Sequence, residues 1–92
     1  MGSGYVDSEY VERIALEQGK FDELIGDTFP INVLGSEPYD EFITSDKQKA
    51  QLVRDLVYRD MCKDFGDDYM RDMGSVDIIE QKNGCFKISF FK

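Results

Sequence analysis

Histidine and tryptophan are absent from this chain of 92 residues, and proline and cysteine occur only twice each. Without imidazole the chain lacks the commonest general base, the commonest zinc ligand and every catalytic triad built on histidine. Cys62 and Cys85 have neither CxxC spacing nor a third thiol nearby. Two free thiols in a reducing compartment are therefore expected, although spacing alone leaves a disulfide open. No apolar run approaches the roughly 20 residues that span a bilayer, and no signal-peptide pattern opens the chain, so a cytoplasmic location is expected. The run DFGDD at residues 64–68 lacks the alternating oxygen ligands and terminal Glu of a calcium loop, and no glycine-rich phosphate loop is present. No metal, no cofactor and no catalytic residue is expected.

What the chain does have is aromatic residues, seven Phe and five Tyr, set among well-spaced apolar positions. These argue against disorder despite a charged fraction of 33%. Residues 1–4 read as an expression scar and are set aside, leaving 5–92 as a single domain. Residues 7–18 predict a helix capped by Asp7 or Ser8, with Tyr10, Val11, Ile14 and Ala15 inward and Glu9 and Glu12 in water. Gly19 ends or bends it, and residues 20–25 add a further turn. Residues 29–34 (FPINVL) alternate like an edge strand that tolerates Pro30, and residues 36–43 predict a short helix.

The strongest element is a helix over 46–65, with Ser45 and Gln48 as a capping box and Leu52, Val53, Leu56, Val57, Met61 and Phe65 as its apolar stripe. Gly66 stops or kinks it, and Asp67 recaps a segment that ends at Gly74. Residues 76–82 and 85–91 predict a hairpin around Asn83-Gly84, with a two-residue loop that sets Glu80 opposite Lys87 and Ile79 opposite Ile88. Ile79, Phe86, Ile88 and Phe90 would then face the helices, and Val76 and Phe91 would lie on the outer face. The expected fold class is α+β, with helices packed on one face of a two- or three-stranded antiparallel sheet that ends in a C-terminal hairpin.

The charge is unevenly placed. Residues 1–46 hold eleven acids against two bases, a net of −9, whereas residues 47–92 hold eight acids against nine bases, a net of +1. Asp60, Asp64, Asp68 and Asp72 recur every four residues. A phosphate-like ridge is one reading of that row, but Gly66 and the nearby Arg59, Lys63 and Arg71 favour a merely solvated face. The acids of the first half are harder to assign to solubility. Glu12, Asp22, Glu23, Asp27, Glu37, Asp40 and Glu41, with Tyr39 as an apolar anchor, are the candidate partner-binding residues. Carboxylates of one sign with few cations between them steer a basic partner over long range.

The expected partner is thus a basic protein, a nucleic-acid-binding protein or nuclease. Direct nucleic-acid binding is disfavoured because Lys82, Lys87 and Lys92 make only a thin basic surface. In size, acidity and lack of a catalytic constellation the chain is similar in kind to small phage-encoded inhibitors, anti-CRISPR and anti-restriction proteins among them. These occupy the basic grooves of nucleic-acid enzymes. The likeness is one of composition and size and covers no alignable residues. It implies a non-enzymatic inhibitor at work in the host cytoplasm. An immunity protein or antitoxin that neutralises a basic toxin, and a scaffold domain whose acidity serves solubility, are the alternatives.

Overall fold

The helical half of the protein starts where expected. In the computed structural model, whose described residues are 2–24 and 41–92, the Asp7 carboxylate accepts the Tyr10 amide at 2.7 Å and opens helix α1, Ser8–Glu17. Val11, Ile14 and Ala15 are fully buried on its inner face. A single helical turn, α2 (Phe21–Leu24), follows and drives Leu24 into the core. The expected strand at 29–34 lies outside the described residues, as do Ile25 and residues 36–40. Where the chain is described again it does not continue the expected helix over 36–43: Phe42 donates its amide to Val6 at 3.0 Å, and Ile43–Thr44 forms a strand, β2.

The long helix α3 spans Lys47–Phe65. Its cap is Asp46 rather than Ser45. The Asp46 Oδ1 accepts the amides of Gln48 and Lys49, and the Thr44 hydroxyl in turn accepts the Asp46 amide. A carboxylate at this position also meets the positive end of the helix dipole, which a serine hydroxyl does not. Val53, Leu56, Val57 and Met61 are buried as the periodicity implies, whereas Phe65, at the last turn, is exposed. Gly66 ends the helix with φ of +97°, a conformation that costs any side chain with a Cβ. Helix α4, Asp67–Asp72, then begins without a side-chain cap, so Asp67 does not play the capping role its position suggested.

Four strands form one antiparallel sheet among the described residues, where two or three were expected. Strand β4 (Phe86–Phe91) is central, and β3 (Ser75–Glu80) pairs along one of its edges. Strand β1 (Ser3–Tyr5) and β2 share the other edge, β1 opposite Ser89–Phe91 and β2 opposite Phe86–Lys87. The N-terminal residues set aside in the sequence are thus part of the sheet, and Gly2 and Lys92 exchange two 2.8 Å backbone hydrogen bonds.

The hairpin register differs by one residue from the expected one. Gln81 and Cys85 close a three-residue loop in which Gly84 takes φ of +83° and the Asn83 side chain accepts the Cys85 amide. That is the three-residue hairpin geometry, with the glycine in the left-handed position. Glu80 therefore faces Phe86, Ile79 faces Lys87 and Ile78 faces Ile88. Because side chains alternate, the shift reverses the faces of β3. Val76 and Ile78 turn to the core, and Ile79 turns to the open side with Asp77. The expected register would have pressed Asp77 against the helices, which explains why the longer loop prevails.

Helix α3 packs on the inner face of the sheet, formed by Val76, Ile78, Phe86, Ile88 and Phe90, and α1 packs against α3. Arg54 Nε reaches from α3 to the Val76 carbonyl at 2.9 Å and pins the edge strand to the helix. Among the described residues no helix is long and apolar enough to cross a membrane.

Candidate interaction surface and cleft

Four of the eight sequence-predicted binding residues, Asp27, Glu37, Tyr39 and Asp40, lie outside the described residues. The other four do not share one face. Tyr10 and Gln18 mark the edge of α1 that meets α3, through contacts to Asp60 and to the Leu56 carbonyl. Glu12, two residues past Tyr10, is therefore about 200° further round the helix and sits half-buried on the opposite edge. Asp22 is fully in solvent on α2. Glu23 pairs with Lys20 at 3.3 Å, and its backbone carbonyl accepts Lys49 Nζ at 2.8 Å. Glu41 instead reaches Lys87 at 2.7 Å on the open side of the sheet, where Lys87 Nζ also lies 4.9 Å from the centre of the Tyr5 ring. Glu41 is thus separated by the sheet from the acids on α1 and α2.

Both cations of the first half are already engaged. Arg13 bonds Glu17 at 3.0 Å one turn along α1, and Lys20 bonds Glu23. Glu9, Glu12 and Asp22 keep no ion pair within the described residues.

The four-residue aspartate row of the second half resolves differently. Gly66 breaks it after Asp64, and Arg71 holds both Asp68 (3.0 Å) and Asp72 (3.5 Å). Asp60 is neither solvated nor ridge-forming: only 8% of it is exposed, and its Oδ2 accepts the Tyr10 hydroxyl at 2.6 Å. Of the row, Asp64 alone stands exposed without an ion pair among the described residues.

Asp60 and Tyr10 belong to a cleft of about 340 Å³ between α1, α3 and the end of the sheet, which the sequence reading missed. Met61, Phe65 and Phe90 contribute apolar wall, and Asp7, Asp60 and Asp64 contribute carboxylates. Arg13 stacks 5.1 Å from the Tyr10 ring centre, and Lys92 Nζ lies 4.9 Å from that of Phe65. Desolvation first, then the bond to Asp60 and its charge, push the Tyr10 hydroxyl well above its ordinary range; Asp64 adds to this and Arg13 opposes it. The hydroxyl is therefore a fixed donor, not a base. A signal for this site was present: Asp60 lies four residues past Leu56 and three past Val57, in phase with the apolar stripe and out of phase with a solvated face.

A second, more open cleft holds Cys62 beside Tyr58, Arg59, Asp67 and Arg71. Burial, with Asp67 beside it, raises the Cys62 pKa, so the thiol stays protonated and is a poor nucleophile. Both cysteines are free. Among the described residues no group of three or more ligating side chains gathers to hold a metal. Comparison of the chain with protein-family models, with curated proteins and with solved structures finds no match.

Proposed function

We propose that this protein is a non-enzymatic acidic binder that inhibits a nucleic-acid-binding protein or nuclease by occupying its basic surface. One observation carries the reading. Residues 1–46 carry a net charge of −9, and among the described residues of that segment Arg13 and Lys20 bond Glu17 and Glu23 while Glu9, Glu12 and Asp22 have no ion pair. Such a field accelerates encounter with a cationic surface, and carboxylates that meet Arg or Lys there replace the phosphates those residues normally hold. An immunity protein or antitoxin facing a basic toxin would use the same contacts, as would a phage-encoded inhibitor of host defence.

Competition tests the reading. A partner captured on the immobilised full-length chain should be displaced by short duplex DNA or by RNA, and its affinity should fall at least tenfold between about 50 and about 200 mM salt. A partner that withstands both the nucleic acid and the salt contradicts it and favours a scaffold role.

A further inference from the structure

The cleft beside α1 differs from a bare group of acids because its deepest carboxylate is more than nine-tenths buried and only half used. Asp60 Oδ2 takes the Tyr10 hydroxyl, while Oδ1 accepts no hydrogen bond among the described residues. Among the described residues the one side-chain polar atom that is both sealed and unpartnered is Ser8 Oγ. Asp60 Oδ1 is therefore open to the cleft.

Asp64 lines the same cleft one turn along α3, about 6 Å further along the axis. Neither carboxylate, nor Asp7 at the rim, forms an ion pair within the described residues. Two cations line the same cleft without bonding either carboxylate: Arg13 bonds Glu17 and stacks on the Tyr10 ring, where the Asp60 charge also favours its protonated form, and Lys92 lies over the rings of Phe65 and Phe90. Desolvation first, then Asp60 and to a lesser degree Asp64, against an opposing Arg13, keep the Tyr10 hydroxyl protonated and donating at the base of the cleft. Met61 and Phe65 supply an apolar strip beside it.

We propose that this cleft receives an arginine side chain of the partner, the guanidinium spanning Asp60 Oδ1 and the Asp64 carboxylate and the aliphatic stem lying along Met61 and Phe65. The inference rests on the reading of the chain as a binder of a cationic protein and names the residue that anchors it. Arginine fits better than lysine because its planar fork offers five donors and can serve two carboxylates a helical turn apart, whereas an ammonium is a single point charge.

The test is a titration of the isotopically labelled full chain with acetyl-Gly-Arg-Gly-amide, read by NMR, with the lysine and glutamine analogues alongside. Saturable shifts should centre on Tyr10, Asp60 and Asp64 and weaken from arginine to lysine to glutamine. Asp60→Asn keeps an oxygen for the Tyr10 hydroxyl yet should weaken the arginine peptide at least about tenfold, or about 1.4 kcal/mol. Asp64→Asn, on an exposed position, should weaken it about threefold, and it carries the test alone should the Asp60 variant fail to fold. Shifts scattered over all exposed acids, or unchanged binding in Asp64→Asn and in a folded Asp60→Asn, would overturn the assignment. A nucleic-acid-competed partner that ignores Asp60→Asn removes the cleft from the interface and leaves the proposed function standing. A peptide bound at Asp60 by a chain that has no such partner does the reverse.

Discussion

Carboxylates on the first two helices and on the last two do different work. Between residues 47 and 72 six acids are matched by six bases, and four of the acids have partners within the fold: Asp60 seats Tyr10, Asp55 meets Arg54, and Asp68 and Asp72 share Arg71. Between residues 8 and 24 five acids meet two bases, both bases are consumed by near neighbours, and Glu9 and Asp22 point into water. Even spacing alone does not separate the two kinds: within the four-residue row Asp60 is buried, Asp64 is exposed without an ion pair among the described residues, and Asp68 and Asp72 share one cation. Net charge over a segment separates the two cases where spacing does not.

Mutations should separate the two regions by both size and kind of effect. The largest loss belongs to the stripe that seats both helices: Leu56→Ala should cost about 2–5 kcal/mol in urea unfolding, by lost burial and the cavity left behind. Tyr10→Phe comes next. It removes the donor on a buried carboxylate and should cost about 1–3 kcal/mol. A change under about 0.5 kcal/mol, the ordinary range for a surface site, would move Asp60 into the solvated class and erase the contrast.

The pH dependence sharpens the same point. Folded Tyr10 holds its proton more tightly than the unfolded chain, whose value is near 10.0. Above 10.0 the folded state therefore binds more protons, and stability must fall as pH rises. Screening of a half-exposed group limits the slope to about 1 kcal/mol per pH unit or less. Urea unfolding one unit either side of 10.0 should show this slope in the wild type and its loss in Tyr10→Phe; equal slopes would mean that the hydroxyl is not held by Asp60. The smallest stability effects are expected at the outward acids, where Glu9→Lys and Asp22→Lys should stay within about 0.5 kcal/mol of wild type.

Much of this was legible in the residues, and the misses have identifiable causes. The α+β class followed from the apolar periods of α1 and α3 and from Asn83-Gly84. That dipeptide does not by itself choose loop length, because a left-handed glycine serves a two-residue turn and a three-residue one alike. Burial chose, by keeping Asp77 out of the core. Ser45 and Asp46 were both competent caps for α3, and only geometry separates adjacent candidates. Strand β1 was hidden because a Gly-Ser-Gly stretch carries no strand signal of its own and pairs only because β4 offers it an edge. The cleft was missed for a different reason: Asp60 was grouped with the other aspartates by its spacing, although its phase placed it with Leu56 and Val57.

The central claim is that the acids of α1 and α2 steer a cationic partner, whereas Asp55, Asp68 and Asp72 are met by neighbouring arginines and do not. The most direct measurement is the association rate constant with the nucleic-acid-competed partner for wild type, Asp22→Lys and Asp72→Lys, followed from about 50 to about 200 mM salt. The rate should fall with salt in the wild type, drop severalfold at low salt in Asp22→Lys, and stay near the wild-type value in Asp72→Lys. Equal slowing by both substitutions, or no slowing by either, would contradict the division of labour.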